Sequence, residues 1–169
     1  MGCSVSLSSY QIPECFSSRG GLSTIWIGEW KEGAYTTTSA GTVSAIDSGV
    51  TLYKIELRRN TSSLSSTLNV DENNGTSYVQ TDLLVEFTKM DKEPRLIVSA
   101  LSKGSFLAIA KDANGQFYAL GNEESMRASA GDGNTSVDRG EKNAYTITLS
   151  DVASDWPMFL DSTAVAQLP

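Results

Sequence analysis

Residues 62–90 constrain the fold of this chain more than any other stretch. On the first arm the even positions Leu64, Leu68 and Val70 are apolar, with Ser66 interrupting them. The odd positions Ser63, Ser65, Thr67, Asn69 and Asp71 are polar. On the second arm Val79, Leu83, Val85 and Phe87 share one face with Thr81, while Tyr78, Gln80, Asp82, Leu84, Glu86 and Thr88 share the other. A period of two is the period of a strand that turns one side to a core. Between the arms stands Asp71-Glu72-Asn73-Asn74-Gly75-Thr76, a run of turn-forming residues. The stretch reads as one long antiparallel hairpin with an apolar and a polar face, Leu84 being the exception on the polar one. A lone hairpin is marginal in water and exposes unpaired edges, so further strands must join it.

The remaining segments supply them. Residues 23–30 (STIWIGEW) read as a strand, and 35–46 (YTTTSAGTVSAI) as a β segment broken near Gly41. In 51–59, Tyr53, Ile55 and Leu57 alternate with Lys54, Glu56 and Arg58. The period then changes. Asp91 suits a helix cap, Pro94 a first turn and Gly104 a stop, which predicts a short helix over 94–103 with Leu96, Ile97, Ala100 and Leu101 inward. Residues 105–120 read as a second hairpin around Asp112-Ala113-Asn114-Gly115, apolar on both faces and therefore deep in a core or at an interface. Residues 122–142 are polar and Gly-rich and read as a long loop. A final strand, 143–150 (NAYTITLS), puts Tyr145, Ile147 and Leu149 on one face. The expectation is a mainly β fold, an antiparallel β-sandwich or barrel with a long hairpin and one short α-helix. At 169 residues the chain reads as a single domain, with an arm over 1–21, a β core over 22–160 and a C-terminal tail over 161–169.

Composition narrows the function. Lys+Arg is 13 against Asp+Glu 20, a net charge of −7, which disfavours coating a nucleic acid. There is no histidine, which removes the commonest general base and metal ligand and every Ser-His or Cys-His arrangement. No apolar run approaches the roughly 20 residues of a membrane span, and no apolar stretch follows a basic start as in a secretory signal. A reducing compartment would leave Cys3 and Cys15 as free thiols, one of them a candidate for burial.

Several motifs have an ordinary reading beside a chemical one. Residues 71–75 and 132–138 space oxygen ligands partly as calcium loops do, yet lack a closing bidentate Glu and are ordinary turn chemistry. Asn60-Thr61-Ser62, Asn74-Gly75-Thr76 and Asn134-Thr135-Ser136 match the glycosylation pattern, which carries little weight in a Ser/Thr-rich chain with no secretory route in view. Met1-Gly2-Cys3-Ser4-Val5-Ser6 matches the myristoylation pattern, with no basic patch after it. Asp82 and Glu86 share a strand face as an acid pair would, but a solvated face is the simpler account. Trp26, Trp30 and Trp156 suit packing before they suit a sugar platform.

The hairpin at 62–90, the helix at 94–103, the LAIAKDANGQFYALG segment at 107–121 and the loop-to-strand run ending NAYTITLS at 143–150 cover about half of the chain. In that order they resemble the tail tube (major tail) proteins of tailed bacteriophages. The resemblance is one of pattern, and the Cys-bearing N-terminal arm departs from it. It implies a non-catalytic virion protein without a cofactor, assembled in the host bacterial cytoplasm beside other tail proteins. Hexameric rings would stack into a tube, with hairpins joined into one inner barrel through which DNA passes without specific binding. Ser63, Ser65, Thr67, Asn69, Gln80, Asp82, Glu86 and Thr88 would then line the lumen, and Asp71, Glu72, Asn73, Asn74 and Gly75 would contact neighbouring subunits or rings. Such a wall is small, hydrated and neutral to acidic, and offers phosphate no Lys or Arg. The alternatives are a β-sandwich carbohydrate-binding module that uses the tryptophans and, with less support, a small enzyme with a carboxylate pair.

Overall fold

Alternation dominates the chain, and strands follow from it. The computed structural model describes residues 7–39 and 41–169. Cys3 and the pattern at 1–6 lie outside the described residues. The elements are β1 (Leu22–Glu29), β2 (Tyr35–Ser39), β3 (Thr42–Ile46), β4 (Leu52–Glu56), β5 (Ser63–Asp71) and β6 (Thr76–Thr88). Then come α1 (Lys92–Leu101), β7 (Phe106–Asp112), β8 (Phe117–Leu120), β9 (Arg127–Asn134), β10 (Ala144–Ala153), β11 (Met158–Leu160) and α2 (Ser162–Val165).

Two sheets form. The larger runs β2-β3-β11-β8-β7-β1-β4, and the smaller β5-β6-β10-β9. All pairings are antiparallel except β11 with β3. The main core lies between the sheets, where Leu83, Val85, Ile147 and Leu149 of the smaller sheet meet Ile25, Ala108, Ala110 and Leu120 of the larger. Strands β1, β7 and β8 are buried on their other face as well. Trp26, Leu107, Ile109 and Ala119 there pack against Tyr35, Val43, Ile46 and Ala164. This double burial is what an unbroken apolar run such as 107–110 requires. The Tyr35 hydroxyl donates toward the carbonyls of Leu120 (2.9 Å) and Ala108 (3.1 Å). Burial, with the Asp151 charge adding to it, holds this phenol far above its ordinary range, so it stays a donor.

The structure bears out the mainly β reading, the two hairpins and the break near Gly41. It forms no closed barrel, because both sheets have free ends in their strand order. Three further expectations are corrected. Much of the stretch read as a loop, 122–142, is strand β9, paired along its length with β10. Its sequence RASAGDGN lacks β-formers, but an edge strand can be held by backbone bonds alone. Tyr145 also lies over its partner Gly133, where a Cβ would sit 3.0 Å from the ring. Among the described residues there are two helices, not one, and the second belongs to a C-terminal segment that is packed down. Gln167 accepts from the Ile46 N–H at 2.7 Å, and the Pro169 carbonyl accepts from the Trp26 indole at 3.1 Å.

The third correction concerns α1. Asp91 caps it as expected, its carboxylate accepting from the Lys92 N–H at 2.7 Å. Val98 and Leu101 face the core, whereas Leu96, Ile97 and Ala100 are exposed. The helix lies at one end of the sandwich with its other side uncovered. Cys15 is a free thiol and is exposed.

Candidate functional site

The outward face of the smaller sheet gathers the residues that the sequence singled out. Register places Ser63 beside Leu84, Ser65 beside Asp82, Thr67 beside Gln80 and Asn69 beside Tyr78. Strand alternation then puts Ser63, Ser65, Thr67, Asn69, Gln80, Asp82, Glu86 and Thr88 all on this one face. The opposite face holds Val79, Thr81, Leu83 and Val85, each at most 2% exposed.

Two strands extend the face. From β10 come Thr146, Thr148, Ser150 and Val152, opposite Glu86, Leu84, Asp82 and Gln80. From β9 come Asp132, Ala130 and Arg127. The β10 residues were legible as the complement of Tyr145, Ile147 and Leu149. Those of β9 were not, since no apolar alternation marks that strand. Leu84 sits half-buried among Ser63 and Thr148, so no bulge is needed to account for it.

The charges on this face have partners. The Asp82 carboxylate accepts from the Ser150 hydroxyl and, at 3.3 Å, from the Gln80 amide. The Ser150 hydroxyl in turn lies 2.9 Å from that of Ser129. Glu86, its side chain 10% exposed, pairs with the Lys142 ammonium at 2.9 Å. The cation-free wall expected from β5 and β6 alone is therefore incomplete, because the segment read as a loop brings Arg127 and Lys142 to it. The result is a hydroxyl-rich surface with both signs of charge.

The tip residues Asp71, Glu72, Asn73, Asn74 and Gly75 form the hairpin turn. Asp71 accepts from the backbone N–H groups of Asn73 (3.0 Å) and Asn74 (3.3 Å) and from the Asn74 amide at 2.6 Å. Gly75 closes the turn at φ 64°, where a side chain would be strained. This is turn chemistry, and among the described residues no group of three or more acidic or thiol side chains stands ready for a metal ion. Toward the tip the hairpin overhangs the core, and on its inner face Leu68 is 48% and Val70 61% exposed.

The tryptophans are not gathered into one platform. Trp26 is buried, and Trp30 donates its indole N–H to the Gly121 carbonyl at 3.0 Å. Trp156 is half-exposed, two residues ahead of β11.

One buried carboxyl stands apart. Asp151, on the inner face of β10, accepts from the Gly121 N–H at 2.8 Å. Burial raises its pKa above the ordinary carboxylate range, and the charges of Glu123, Glu124 and Asp82 add to the shift against the lowering effect of that bond.

Compared with known proteins, the chain matches no family model, and no curated protein matches it in sequence.

Proposed function

We propose that this chain is a tail tube subunit, a non-catalytic structural protein whose copies form stacked hexameric rings around a DNA-conducting lumen in a phage virion. The observation that carries the reading is the smaller sheet. It has four strands, two free edges at β5 and β9, one apolar face and one hydroxyl-rich face. Free edges on both sides let β5 of one copy pair with β9 of the next. Closure into a ring removes every such edge, and this is how barrels avoid uncontrolled strand addition. Six sheets of four strands, at about 4.8 Å per strand and a tilt of 35–45°, give a backbone bore of roughly 45–50 Å. That bore accommodates a DNA duplex with room for the wall side chains.

The wall chemistry agrees with passage rather than capture. Its hydroxyls hold water, and of the two cations on it Lys142 is neutralised by Glu86 before a phosphate could use it, while Arg127 turns its guanidinium to the Ser125 hydroxyl. The tip at 71–75 and the exposed Leu68 and Val70 beside it are the surfaces for neighbouring subunits, successive rings and other tail proteins. Assembly would take place in the host bacterial cytoplasm. Negative-stain microscopy of the purified protein tests the reading. Rings or tubes are the expected result. A strict monomer at high concentration, above all one that binds glycans, overturns it.

A further inference from the structure

Two Asn–Gly steps occur in this chain, Asn74-Gly75 at the tip of the long hairpin and Asn114-Gly115 in the turn between β7 and β8. Such a step carries its own reaction. The glycine nitrogen can attack the carbonyl carbon of the asparagine side chain, because no Cβ on the following residue stands in the way. In backbone and exposure the two sites are alike. All four residues are exposed, and the glycines have φ values of 64° and 85°. They differ in their hydrogen bonds. The Asn114 side chain is held at both ends: its oxygen accepts from the Arg19 N–H at 2.8 Å, and its NH₂ donates to the Arg19 carbonyl at 2.9 Å and to the Ser18 hydroxyl at 3.4 Å. The attacking atom is tied as well, since the Gly115 N–H donates to the Asp112 carbonyl at 3.3 Å. At the tip the Asn74 NH₂ donates to Asp71 at 2.6 Å, but among the described residues nothing donates to the Asn74 side-chain oxygen and nothing accepts from the Gly75 N–H. The one bond at Asn74 falls on the nitrogen that would leave, where a carboxylate can relay a proton.

We propose that Asn74 is a site of spontaneous covalent modification, through which the hairpin tip converts itself to a more acidic and looser form, while the arm anchor protects Asn114 from the same reaction. The Gly75 nitrogen gives up its proton and bonds to the Asn74 Cγ. The bond from Cγ to the amide nitrogen breaks, and that nitrogen leaves as ammonia with the proton that Gly75 gave up. Water then adds to the five-membered imide. Opening at one carbonyl gives aspartate, and opening at the other gives isoaspartate, in which the main chain runs through the side-chain carbon. The reaction consumes only water.

Either product adds one negative charge to a chain of net charge −7, beside Asp71 and Glu72. Asp71 loses the donor at 2.6 Å and meets a second carboxylate in its place. Only the backbone N–H groups of residues 73 and 74 then remain on Asp71 to hold the turn. In the isoaspartate an extra main-chain atom enters a turn whose ends, Asp71 and Thr76, are paired in register. The inference stands on these bonds and does not rest on the tube reading.

The test uses the full wild-type chain, aged in neutral buffer and, in parallel, in guanidinium chloride, with conversion at each asparagine followed by peptide mass mapping. Unfolded, the two steps share the same following residue and should convert at similar rates. Folded, Asn74 should stay within a few fold of its unfolded rate, and Asn114 should fall about tenfold or more below its own, because its bonds must break before the ring can close. Equal rates at the two sites in the folded chain, or a faster Asn114, overturns the proposal. Asn74→Asp supplies the aspartate product directly. It should speed hydrogen exchange over residues 72–75 relative to fresh wild type, and unchanged exchange there overturns the loosening of the tip.

Discussion

Asn114 holds Arg19 by its backbone, although the two are 95 residues apart. The Asn114 amide oxygen accepts from the Arg19 N–H at 2.8 Å, and its NH₂ donates to the Arg19 carbonyl at 2.9 Å. The side chain thus imitates a strand neighbour. The Arg19 guanidinium donates to the Ala113 carbonyl at 3.1 Å, and the Ala113 N–H donates to Gly21 at 3.0 Å. These bonds together set the boundary between the exposed arm and the sheet.

Asn114→Ala should release that boundary. Each bond is exposed and worth about 1 kcal/mol or less, so the global loss should stay near 1 kcal/mol. The local effect should be larger. Hydrogen exchange over residues 19–21 should accelerate while the β7 amides keep their protection. Unchanged exchange at Arg19 would mean that the anchor contributes nothing in solution.

Two substitutions on one face of the long hairpin should behave differently. Val85 is fully buried between the sheets, whereas Leu68 is half-exposed toward the tip. Val85→Asp should cost about 3–5 kcal/mol in the isolated subunit, because it buries an unpaired charge. Leu68→Asp should cost under about 1 kcal/mol there, yet block self-association if the overhang is covered by a neighbour. Thermal melting and sedimentation of both variants give the answer. If Leu68→Asp assembles as the wild type does, the overhang is not an interface.

Asp151 should give stability a pH dependence of unusual sign. Its folded pKa is raised, so its contribution is fully present below the unfolded carboxylate value, about 3.9, and is lost as pH rises through the higher folded value. Asp151→Asn keeps an oxygen for the Gly121 N–H and removes the buried charge. The variant should match wild type near pH 4 and melt higher at neutral pH. Exposed Asp47 and Asp91 have pKa values lowered chiefly by bonds from Lys31 and from the Lys92 N–H, and pull the opposite way in both proteins. The difference between the two melting curves therefore isolates Asp151. A gap that shrinks as pH rises would contradict the assignment.

How much of this was legible in the sequence depends on where specificity resides. The hairpin of Leu64, Leu83 and Val85 was visible because one face is buried, and burial enforces a period of two. The polar face followed as its complement. β9 was invisible because its bonds are backbone to backbone and any small residue satisfies them. The exposed face of α1 was misread for a related reason. Leu96 and Ile97 have helical spacing, but spacing cannot say whether a neighbouring layer exists to cover them. The partners of Asp82 and Glu86 were hidden for both reasons, since Ser150 and Lys142 arrive from segments 68 and 56 residues away.

Those partners sharpen the prediction for the wall itself. In a closed ring, Asp82 and Glu86 would each repeat around the lumen and repel the phosphate backbone. Glu86 also holds Lys142, so in such a ring it would keep a cation from the DNA while contributing its own charge. Asp82→Lys with Glu86→Lys reverses two charges per subunit and frees Lys142. The inner face of β6 is untouched, so the fold should survive. The cost should be about 1–3 kcal/mol, from the lost Ser150 bond and from repulsion between Lys142 and the ammonium introduced in place of the Glu86 carboxylate. Rings should still form, but each new phosphate contact adds salt-dependent affinity, so duplex should now bind the wall and its passage should slow. Raising ionic strength should partly restore passage by screening. The measurement is DNA release from complete particles at two salt concentrations, beside micrographs of the same preparations. Normal release from particles with intact tails would remove this face from the lumen, and loss of assembly with a normal melting curve would place Asp82 and Glu86 in a contact between subunits.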